Sequence, residues 1–325
     1  MSDDALLVSV VVLVYNHERF IAQALDSILS QKCNFDLEII VGEDCSKDGS
    51  RDIVRQYAAR YPHIIRPILY EKNVGAQSNA LHCLSSCSGK YIANCEGDDY
   101  WTDDTKLQMQ IDFLESHPDY SLCFTDAEVL NETGKEQPGI YPQTPQQDFS
   151  LEDVLSAGRV FIPTASMVFR NDLPKEFPQF QKEAISGDIA LHILFAAKGK
   201  LWKIRKKTVV YRLHGGGITV HPHTLENAFN AQFRLYEGAY EYLGHRFDGV
   251  FRKTLFRMAK ERLIYGTKTL TGIKRQKQIL KYFRKYFRYS DSLNFKEIFY
   301  YLAVLYFPFL LGRNGKSTDE VINRN

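Results

Sequence analysis

The sequence predicts an α/β fold in which a mostly parallel sheet carries helices on both faces, followed by a C-terminal helical appendage. Apolar runs of strand length alternate with helical stripes over the first 126 residues, which is the pattern of βαβ units. The first run, residues 6–14, is nearly continuous and rich in valine, as is typical of a strand buried on both faces of a parallel sheet. Beyond residue 221 the pattern changes to long, aromatic and basic helical stretches.

The individual elements follow from local patterns along the chain. Asn16 and His17 end the first strand, and residues 18–31 then place their apolar side chains on one helical stripe. Further strands are predicted at residues 37–41, 64–70, 91–95 and 121–126, with helices at 50–61, 76–87 and 102–116 between them.

The middle of the chain is less regular. Residues 131–164 are predicted to form loops around a short helix at 151–156. A strand at 165–170, a helix at 188–197 and a strand pair over 201–213 follow. We therefore predict one domain at residues 1–220 and a helical region at 221–325, with a helix break near Gly244.

Charge is distributed unevenly along the chain. Residues 252–288 hold 13 lysines and arginines against one acid, Glu261, and so carry a formal charge of +12. The rest of the chain carries −10, because the whole has a net charge of +2. Such a split predicts a basic appendage that faces an anionic partner.

The uncharged run at residues 298–311 is 14 residues long, whereas a membrane-spanning helix usually needs about 18 or more. We interpret it as a segment in the membrane interface, and residues 252–311 together as a contact with an anionic membrane surface. The alternative is that the aromatic side chains pack on the protein and the charges are solvated. The acidic start of the chain and the absence of a Cys-x-x-Cys pair predict a cytoplasmic protein, peripheral on the inner face of the cell membrane.

An acidic turn follows the strand at residues 91–95 and contains Glu96, Asp98 and Asp99. The carboxyl end of a parallel strand is where open α/β sheets bind ligands. Crowded carboxylates repel one another unless a cation lies among them, and Mg²⁺ or Mn²⁺ held with substrate phosphates is the usual solution. Helix capping is the alternative, but Asp103 and Asp104 can supply it. We favour a metal site.

Several further segments occur in a characteristic order. They are 8–16 (Val-Ser-Val-Val-Val-Leu-Val-Tyr-Asn), 43–50 (Glu-Asp-Cys-Ser-Lys-Asp-Gly-Ser), 73–75 with Asn79, 96–101 (Glu-Gly-Asp-Asp-Tyr-Trp), 187–188 (Gly-Asp) and 211–214 (Tyr-Arg-Leu-His). Together they resemble the family-2 glycosyltransferases, inverting enzymes with the GT-A nucleotide-diphospho-sugar transferase fold. The resemblance covers about two thirds of the chain.

The resemblance implies a nucleotide-binding role for Tyr15, Asp44, Asn79 and Asp98. From the residues alone, the ring of Tyr15 could stack on a base or pack in the core. Asp44 could accept the imide N–H of uracil, or could cap a turn beside Ser46. The similarity to the family favours the nucleotide-binding roles and a UDP-sugar as the donor.

The resemblance also implies that Asp98 binds the divalent metal, Mn²⁺ or Mg²⁺, with Asp99, Glu96 and His214 as further candidates. Ser78 occupies a position where the family commonly has an arginine that contacts phosphate. Arg212 or Lys72 is therefore expected to contact the phosphates instead.

Asp188 is implied to be the general base, which takes the proton of the acceptor hydroxyl. Without the resemblance, Asp188 would be interpreted as the N-cap of the predicted helix at 188–197.

The predicted function is transfer of one sugar from a nucleotide-diphosphate donor to a glycan or polyprenyl-linked glycan acceptor. A nucleotidyltransferase that makes sugar nucleotides is one alternative, but residues 15–18 lack the glycine-rich basic loop expected after its first strand. A nucleic-acid-binding protein is another, which would leave the carboxylate-lined cleft without a role. We therefore expect no nucleic-acid partner.

Overall fold

The computed structural model describes residues 7–134, 141, 144–157, 162–216, 225–269 and 272–290, together with 296, 298, 299 and 302. The chain divides into two compact units, Met1–Leu243 and Gly244–Asn325. The predicted boundary near residue 221 falls outside the described residues and stays a prediction.

The first half of the larger unit alternates strands and helices as predicted. Its elements are β1 (Leu7–Val14), α1 (Ile21–Leu29), β2 (Asp36–Glu43), α2 (Ser50–Arg60), β3 (Ile65–Leu69), α3 (Ala76–Ser85) and β4 (Tyr91–Asn94). β1 pairs in parallel with β2 and β4, and β3 pairs in parallel with β2. The carboxyl ends of these four strands therefore lie along one edge of the sheet.

The second half of the unit extends the same sheet. Its elements are β5 (Tyr100–Trp101), α4 (Lys106–Ser116), β6 (Tyr120–Asn131), β7 (Asp148–Phe149), α5 (Leu151–Ala157), β8 (Val168–Arg170), α6 (Gln179–Lys182), α7 (Gly187–Ala196), β9 (Lys200–Leu213) and α8 (Leu225–Leu243). Among the described residues the strand order is β3-β2-β1-β4-β8-β6-β9-β5, with β7 beside β9. The long β6–β9 ladder is parallel, whereas β8 is antiparallel to both of its neighbours.

The predicted strand pair over residues 201–213 is wrong, because one strand, β9, covers the whole segment. The segment contains no Gly, Pro, Asn or Asp that would reverse the chain. An irregularity in its pairing with β6, near Thr125 and Asp126, is absorbed without a turn. β9 therefore reaches the edge where β4 ends.

Helix α4 begins at Lys106, four residues later than predicted. The carboxylate of Asp103 accepts the backbone N–H of Thr105 at 2.9 Å and holds the turn that precedes the helix. Tyr100 and Trp101, just before this turn, form β5, which pairs with β9.

The core lies between the sheet and the helices that cover it. Alternate valines of β1 are fully buried, and the stripe Ile21, Ala24, Leu25 and Ile28 of α1 packs into the same cluster. The near-continuous burial of β1 confirms that this strand is covered on both faces.

The smaller unit contains α9 (Asp248–Thr269) and α10 (Gly272–Tyr289), preceded by a 3₁₀ turn at Gly244–Phe247. Gly244 adopts a φ of 63°, which accounts for the predicted break. Tyr282, Tyr286 and Tyr289 on α10 are buried, and the ring of Tyr286 lies 4.7 Å from that of Phe256 on α9. These tyrosines of the basic segment therefore have packing roles.

No helix among the described residues is long and apolar enough to cross a membrane. Most of the apolar run at 298–311 lies outside the described residues.

Candidate active site

The acidic turn lies at the carboxyl edge of the sheet, directly after β4. The N–H of Gly97 donates to the carbonyl of Leu13 at 2.9 Å, which ties the turn to the end of β1. A Cβ atom on Gly97 would lie 2.9 Å from that carbonyl oxygen and 2.9 Å from Nδ1 of His17. Glycine is therefore required because β1 and the turn approach each other so closely.

Asp98 stands between two imidazoles. Its Oδ2 lies 3.0 Å from Nε2 of His214 and 3.5 Å from Nε2 of His17. Burial alone would raise the pKa of Asp98, but the hydrogen bond from His214 and the proximity of both histidines outweigh it and lower the pKa. Asp98 is therefore held as a carboxylate, the form that binds a cation.

Asp99 has a structural partner. It is 3% exposed, and its Oδ1 accepts the backbone N–H of Arg212 on β9 at 2.9 Å. Burial, with the charges of Glu96 and Asp98, raises the pKa of Asp99 well above its usual value. The contact joins the acidic turn to β9, two residues before His214.

Glu96 points into the protein, and its Oε2 is buried without a hydrogen-bond partner among the described residues. Burial, together with the charges of Asp98 and Asp188, raises the pKa of Glu96 to about 8. In the metal-free protein the carboxyl is therefore mainly protonated at neutral pH.

Asp188 is the second residue of α7, and the N-cap position is Ser186. Its Oδ1 accepts the N–H of Ile189 at 2.8 Å. Burial raises the pKa of Asp188, which makes the carboxylate a stronger base than an exposed aspartate. The charge of Asp188 contributes to the raised pKa of Glu96, so Asp188 lies near the acidic turn.

The residues predicted to bind the nucleotide are engaged differently. Tyr15 follows β1 and is 40% exposed. Both carboxylate oxygens of Asp44 accept backbone N–H groups, from Val74 at 2.7 Å and from Gly75 at 3.0 Å. Asn79 is buried on α3 and donates from Nδ2 to the carbonyl of Gly42 at 2.8 Å, which accounts for its position by packing. Their nucleotide-binding roles stay predictions.

The two predicted phosphate contacts also differ. The guanidinium of Arg212 lies 5.0 Å from the ring centroid of Phe20 and 4.7 Å from that of Tyr100, and it forms an ion pair with Glu132 at 3.3 Å. Arg212 is only 8% exposed, whereas Lys72 is exposed. Arg212 is therefore buried between two aromatic rings and paired with Glu132, and its contact with phosphate stays a prediction.

Sequence reasoning missed two residues near the acidic turn. His17 could have been found, because it lies just past the carboxyl end of β1, the same edge as the turn. Tyr141 gave no signal, since it lies in an irregular segment. Its ring packs at 5.5 Å against that of Tyr211. Burial, with Tyr211 and the carboxylates of the turn, raises the pKa of Tyr141 well above its usual value.

The donor set fits a divalent metal that shares its shell with a substrate. Among the described residues no group of three or more His, Cys, Asp and Glu side chains is arranged to hold a metal by itself. Asp98 Oδ2 and His214 Nε2, 3.0 Å apart, would offer a divalent metal one carboxylate and one imidazole donor. Mg²⁺ and Mn²⁺ commonly take few protein ligands and complete the shell with substrate phosphates.

Residues 9–175 match Glycosyl transferase family 2, which is more than half of the 325 residues. The chain therefore belongs to glycosyltransferase family 2, a family of sugar-transferring enzymes. The predicted resemblance is confirmed.

Individual relatives agree with this membership. An uncharacterized protein of Mycobacterium tuberculosis is 37% identical over 210 residues, 65% of this chain and 60% of that protein. The chain thus spans less than two thirds of that relative. The Escherichia coli protein WfaP, a UDP-Glc:alpha-D-GlcNAc-diphosphoundecaprenol beta-1,3-glucosyltransferase, is 27% identical over 218 residues, 66% of this chain and 80% of that protein.

The fold is shared with a solved structure. TarS 1-349 of S. aureus, crystallised with UDP, superimposes with a TM-score of 0.62 at 17% identity, covering 88% of this chain and 81% of that chain. At this identity the likeness shows the fold alone. The predicted GT-A fold is confirmed.

Proposed function

We propose that the protein is an inverting, metal-assisted glycosyltransferase that moves one sugar from a UDP-sugar to a hydroxyl of a glycan or lipid-linked glycan. The observation that carries the proposal is the Asp98–His214 contact at the carboxyl edge of the sheet, with Asp188 near the same acidic turn. This arrangement offers a place for a metal–diphosphate and a base at one edge of the sheet.

Asp98 and His214 would hold the divalent cation. When bound, the cation supplies a Lewis acid that neutralises charge on the departing diphosphate. Asp98 suits this role because its lowered pKa keeps it ionised. Asp99 holds the turn on β9, so that Asp98 and His214 stay adjacent.

Asp188 would act as the general base in a single displacement. The acceptor oxygen forms a bond to the anomeric carbon while the bond from that carbon to the diphosphate oxygen breaks. The acceptor proton passes to the Asp188 carboxylate, and UDP leaves with the bonding electron pair. One displacement inverts the anomeric configuration, and one base is sufficient for it.

Uracil is the donor base that Asp44 would favour. A carboxylate can accept the imide N–H of uracil, a donor that cytosine lacks. Each Asp44 oxygen already accepts one backbone N–H, which fixes its direction and leaves a second lone pair. The UDP-sugar in the name of WfaP and the UDP in the TarS crystal support this choice.

A lipid-linked acceptor is supported by the diphosphoundecaprenol in the name of WfaP. We propose that residues 252–311 contact an anionic membrane surface, on the cytoplasmic face of the cell membrane. On α10, Lys277, Lys281, Arg284 and Arg288 are exposed and recur at helical spacing, which places them on one stripe. Each such charge contributes about 1 kcal/mol near anionic lipid.

Flotation with vesicles tests the membrane contact. The protein should float with phosphatidylglycerol vesicles and not with phosphatidylcholine vesicles. Replacing Lys277, Lys281 and Arg284 by glutamate should abolish flotation. Equal flotation of the variant and the native protein would contradict the membrane proposal.

Release of UDP from UDP-sugars in the presence of Mn²⁺ and a polyprenyl-diphosphate-linked sugar tests the activity. Asp188→Asn should abolish transfer while leaving UDP affinity within about twofold. Near-normal turnover by Asp188→Asn would rule out Asp188 as the base.

A further inference from the structure

Two glutamine amides join the start of α3 to the start of α7. Gln77, in the first turn of α3, donates from Nε2 to the backbone carbonyl of Gln181 on α6. Gln181 in turn donates from its own Nε2 to the carbonyl of Gly187 at 3.1 Å. Gly187 is the first residue of α7 and directly precedes Asp188.

Gly187 provides the space that this contact needs. A Cβ atom on Gly187 would lie 2.0 Å from Oε1 of Gln77, so any side chain there would displace the Gln77 amide. The φ of Gly187 is not among the positive values of the chain. The requirement for glycine is therefore one of close approach and not of backbone conformation.

The other end of this path reaches the predicted nucleotide site. Gln77 lies two residues after Gly75, whose N–H, with that of Val74, binds the carboxylate of Asp44. Gly75 has a φ of 87°, a value suited to glycine, and this conformation turns the chain into α3. Residues 74–77 therefore both bind the Asp44 carboxylate, through two backbone N–H groups, and carry the side chain of Gln77.

Hydrogen bonds at both ends and the backbone of residues 74–77 between them connect Asp44 to Gln181 and Gly187. Gln181 is 1% exposed, and a buried amide leaves little freedom for rearrangement. The contact at position 77 needs a donor at the end of a side chain of this length, and the glutamine amide supplies it. Glutamate lacks the donor, and alanine lacks the reach.

We propose that Gln77 is a positioning residue that couples the donor-binding loop to the general base. By holding the first turn of α7 through Gln181 and Gly187, it fixes where the Asp188 carboxylate meets the acceptor. This inference rests on the proposed function, since it takes Asp188 as the base and the Asp44 loop as part of the donor site. If Gln77 only stabilised the packing of the helices, its loss would not lower kcat selectively while leaving donor binding unchanged.

The test uses Gln77→Ala and Gly187→Ala, which break the same contact from its two sides. Gln179→Ala is the matched control, because Gln179 lies exposed on α6, the helix that carries Gln181, and donates to Glu183. Both test variants should lower kcat by about 10- to 100-fold, since small displacements of a reacting group have effects of this size. The donor KM and UDP affinity should stay within about twofold.

Hydrogen exchange supplies a readout that does not depend on turnover. In both test variants the amides of residues 186–190 should exchange at least tenfold faster than in the native protein, while Gln179→Ala matches it. Unchanged kcat and unchanged exchange in Gln77→Ala would overturn the inference. A parallel fall in stability and UDP affinity, with kcat preserved, would also overturn it in favour of a purely structural role for Gln77.

Asp188→Asn in the same assay separates this inference from the proposed function. If Asp188→Asn retains turnover, the assignment of the base fails, whatever Gln77→Ala does. If Asp188→Asn is inactive and Gln77→Ala is normal, only the coupling fails.

Discussion

Replacing Lys106 by methionine should stabilise the protein. Lys106 opens α4 with 0% exposure, and its Nζ has no hydrogen-bond partner among the described residues. The ammonium lies 4.2 Å from the centroid of the Trp101 ring. Burial lowers the pKa of Lys106 from 10.5 to about 7. Methionine is similar in length, unbranched and uncharged, and so can occupy the same space.

The size of the gain follows from this shift in pKa. Each unit corresponds to about 1.4 kcal/mol, so keeping the buried ammonium charged costs roughly 4–5 kcal/mol at pH 7 or below. Loss of the cation–π contact with Trp101 removes about 1–2 kcal/mol. We therefore expect Lys106→Met to raise the free energy of unfolding by roughly 2–4 kcal/mol near pH 6.5.

The dependence on pH has a definite sign. Between pH 7 and 10.5 the unfolded chain binds a proton at Lys106 that the folded chain does not. The native protein's contribution from this residue therefore becomes more favourable as pH rises through that window. Lys106→Met lacks this rise, so the difference between variant and native protein should shrink as the pH increases.

Urea unfolding at pH 6.5 and pH 9 measures both quantities. Lys90→Met is the control, since Lys90 is exposed and its pair with Glu115 should contribute no more than about 1 kcal/mol. A variant no more stable than the native protein at pH 6.5 would refute the reasoning. A stability difference that does not change with pH would refute it as well.

Three further predictions concern residues at or near the site. His214→Ala should weaken Mn²⁺ binding in the presence of UDP by 10- to 100-fold or more, because it removes the partner of Asp98. Electron paramagnetic resonance of free Mn²⁺ measures the affinity, and the control His117→Ala should leave it unchanged. An unchanged affinity in His214→Ala would exclude His214 as a metal ligand. Asn79→Ala should lower the free energy of unfolding by about 1–2 kcal/mol through loss of its bond to Gly42, with UDP affinity unchanged; a tenfold loss of affinity alone would favour the nucleotide-binding role. In metal-free protein the folded state keeps a proton on Glu96 up to about pH 8 that the unfolded chain loses near 4.5, so stability falls as pH rises through that window, and Glu96→Gln should flatten the fall by up to about 1.4 kcal/mol per unit in pH-dependent urea unfolding.

Periodicity predicted the long elements well. β1 and α1 carry clear patterns, and the structure places both close to the predicted positions. β5, β7 and α6 were missed because segments of two to four residues are too short to show a period. The sequence predicts two strands where the structure has β9, because no pattern in residues 201–213 indicates the register of this segment with β6.

The candidate site likewise contains residues that the sequence predicts and contacts that it does not. The position of the acidic turn already pointed to Asp98, whereas His214, 116 residues later, was a candidate only through the family resemblance; the long β9 brings them together. The internal packing of Arg212 could not be predicted, because it depends on the side chains of Phe20, Tyr100 and Glu132 from three separate segments. The contact between Gln77 and Gly187 is equally invisible in sequence, since it arises from the approach of two helices.

Thermal unfolding with UDP, dTDP, GDP or CDP, each with and without Mn²⁺, is the most direct test of whether the acidic turn binds a UDP-sugar donor through a divalent metal. A ligand at 100 times its Kd stabilises the folded protein by about 2.7 kcal/mol, enough to raise Tm by several degrees. We expect a rise in Tm with UDP that requires Mn²⁺ and disappears in Asp98→Asn. No rise with UDP in the presence of Mn²⁺, or an equal rise in Asp98→Asn, would contradict it.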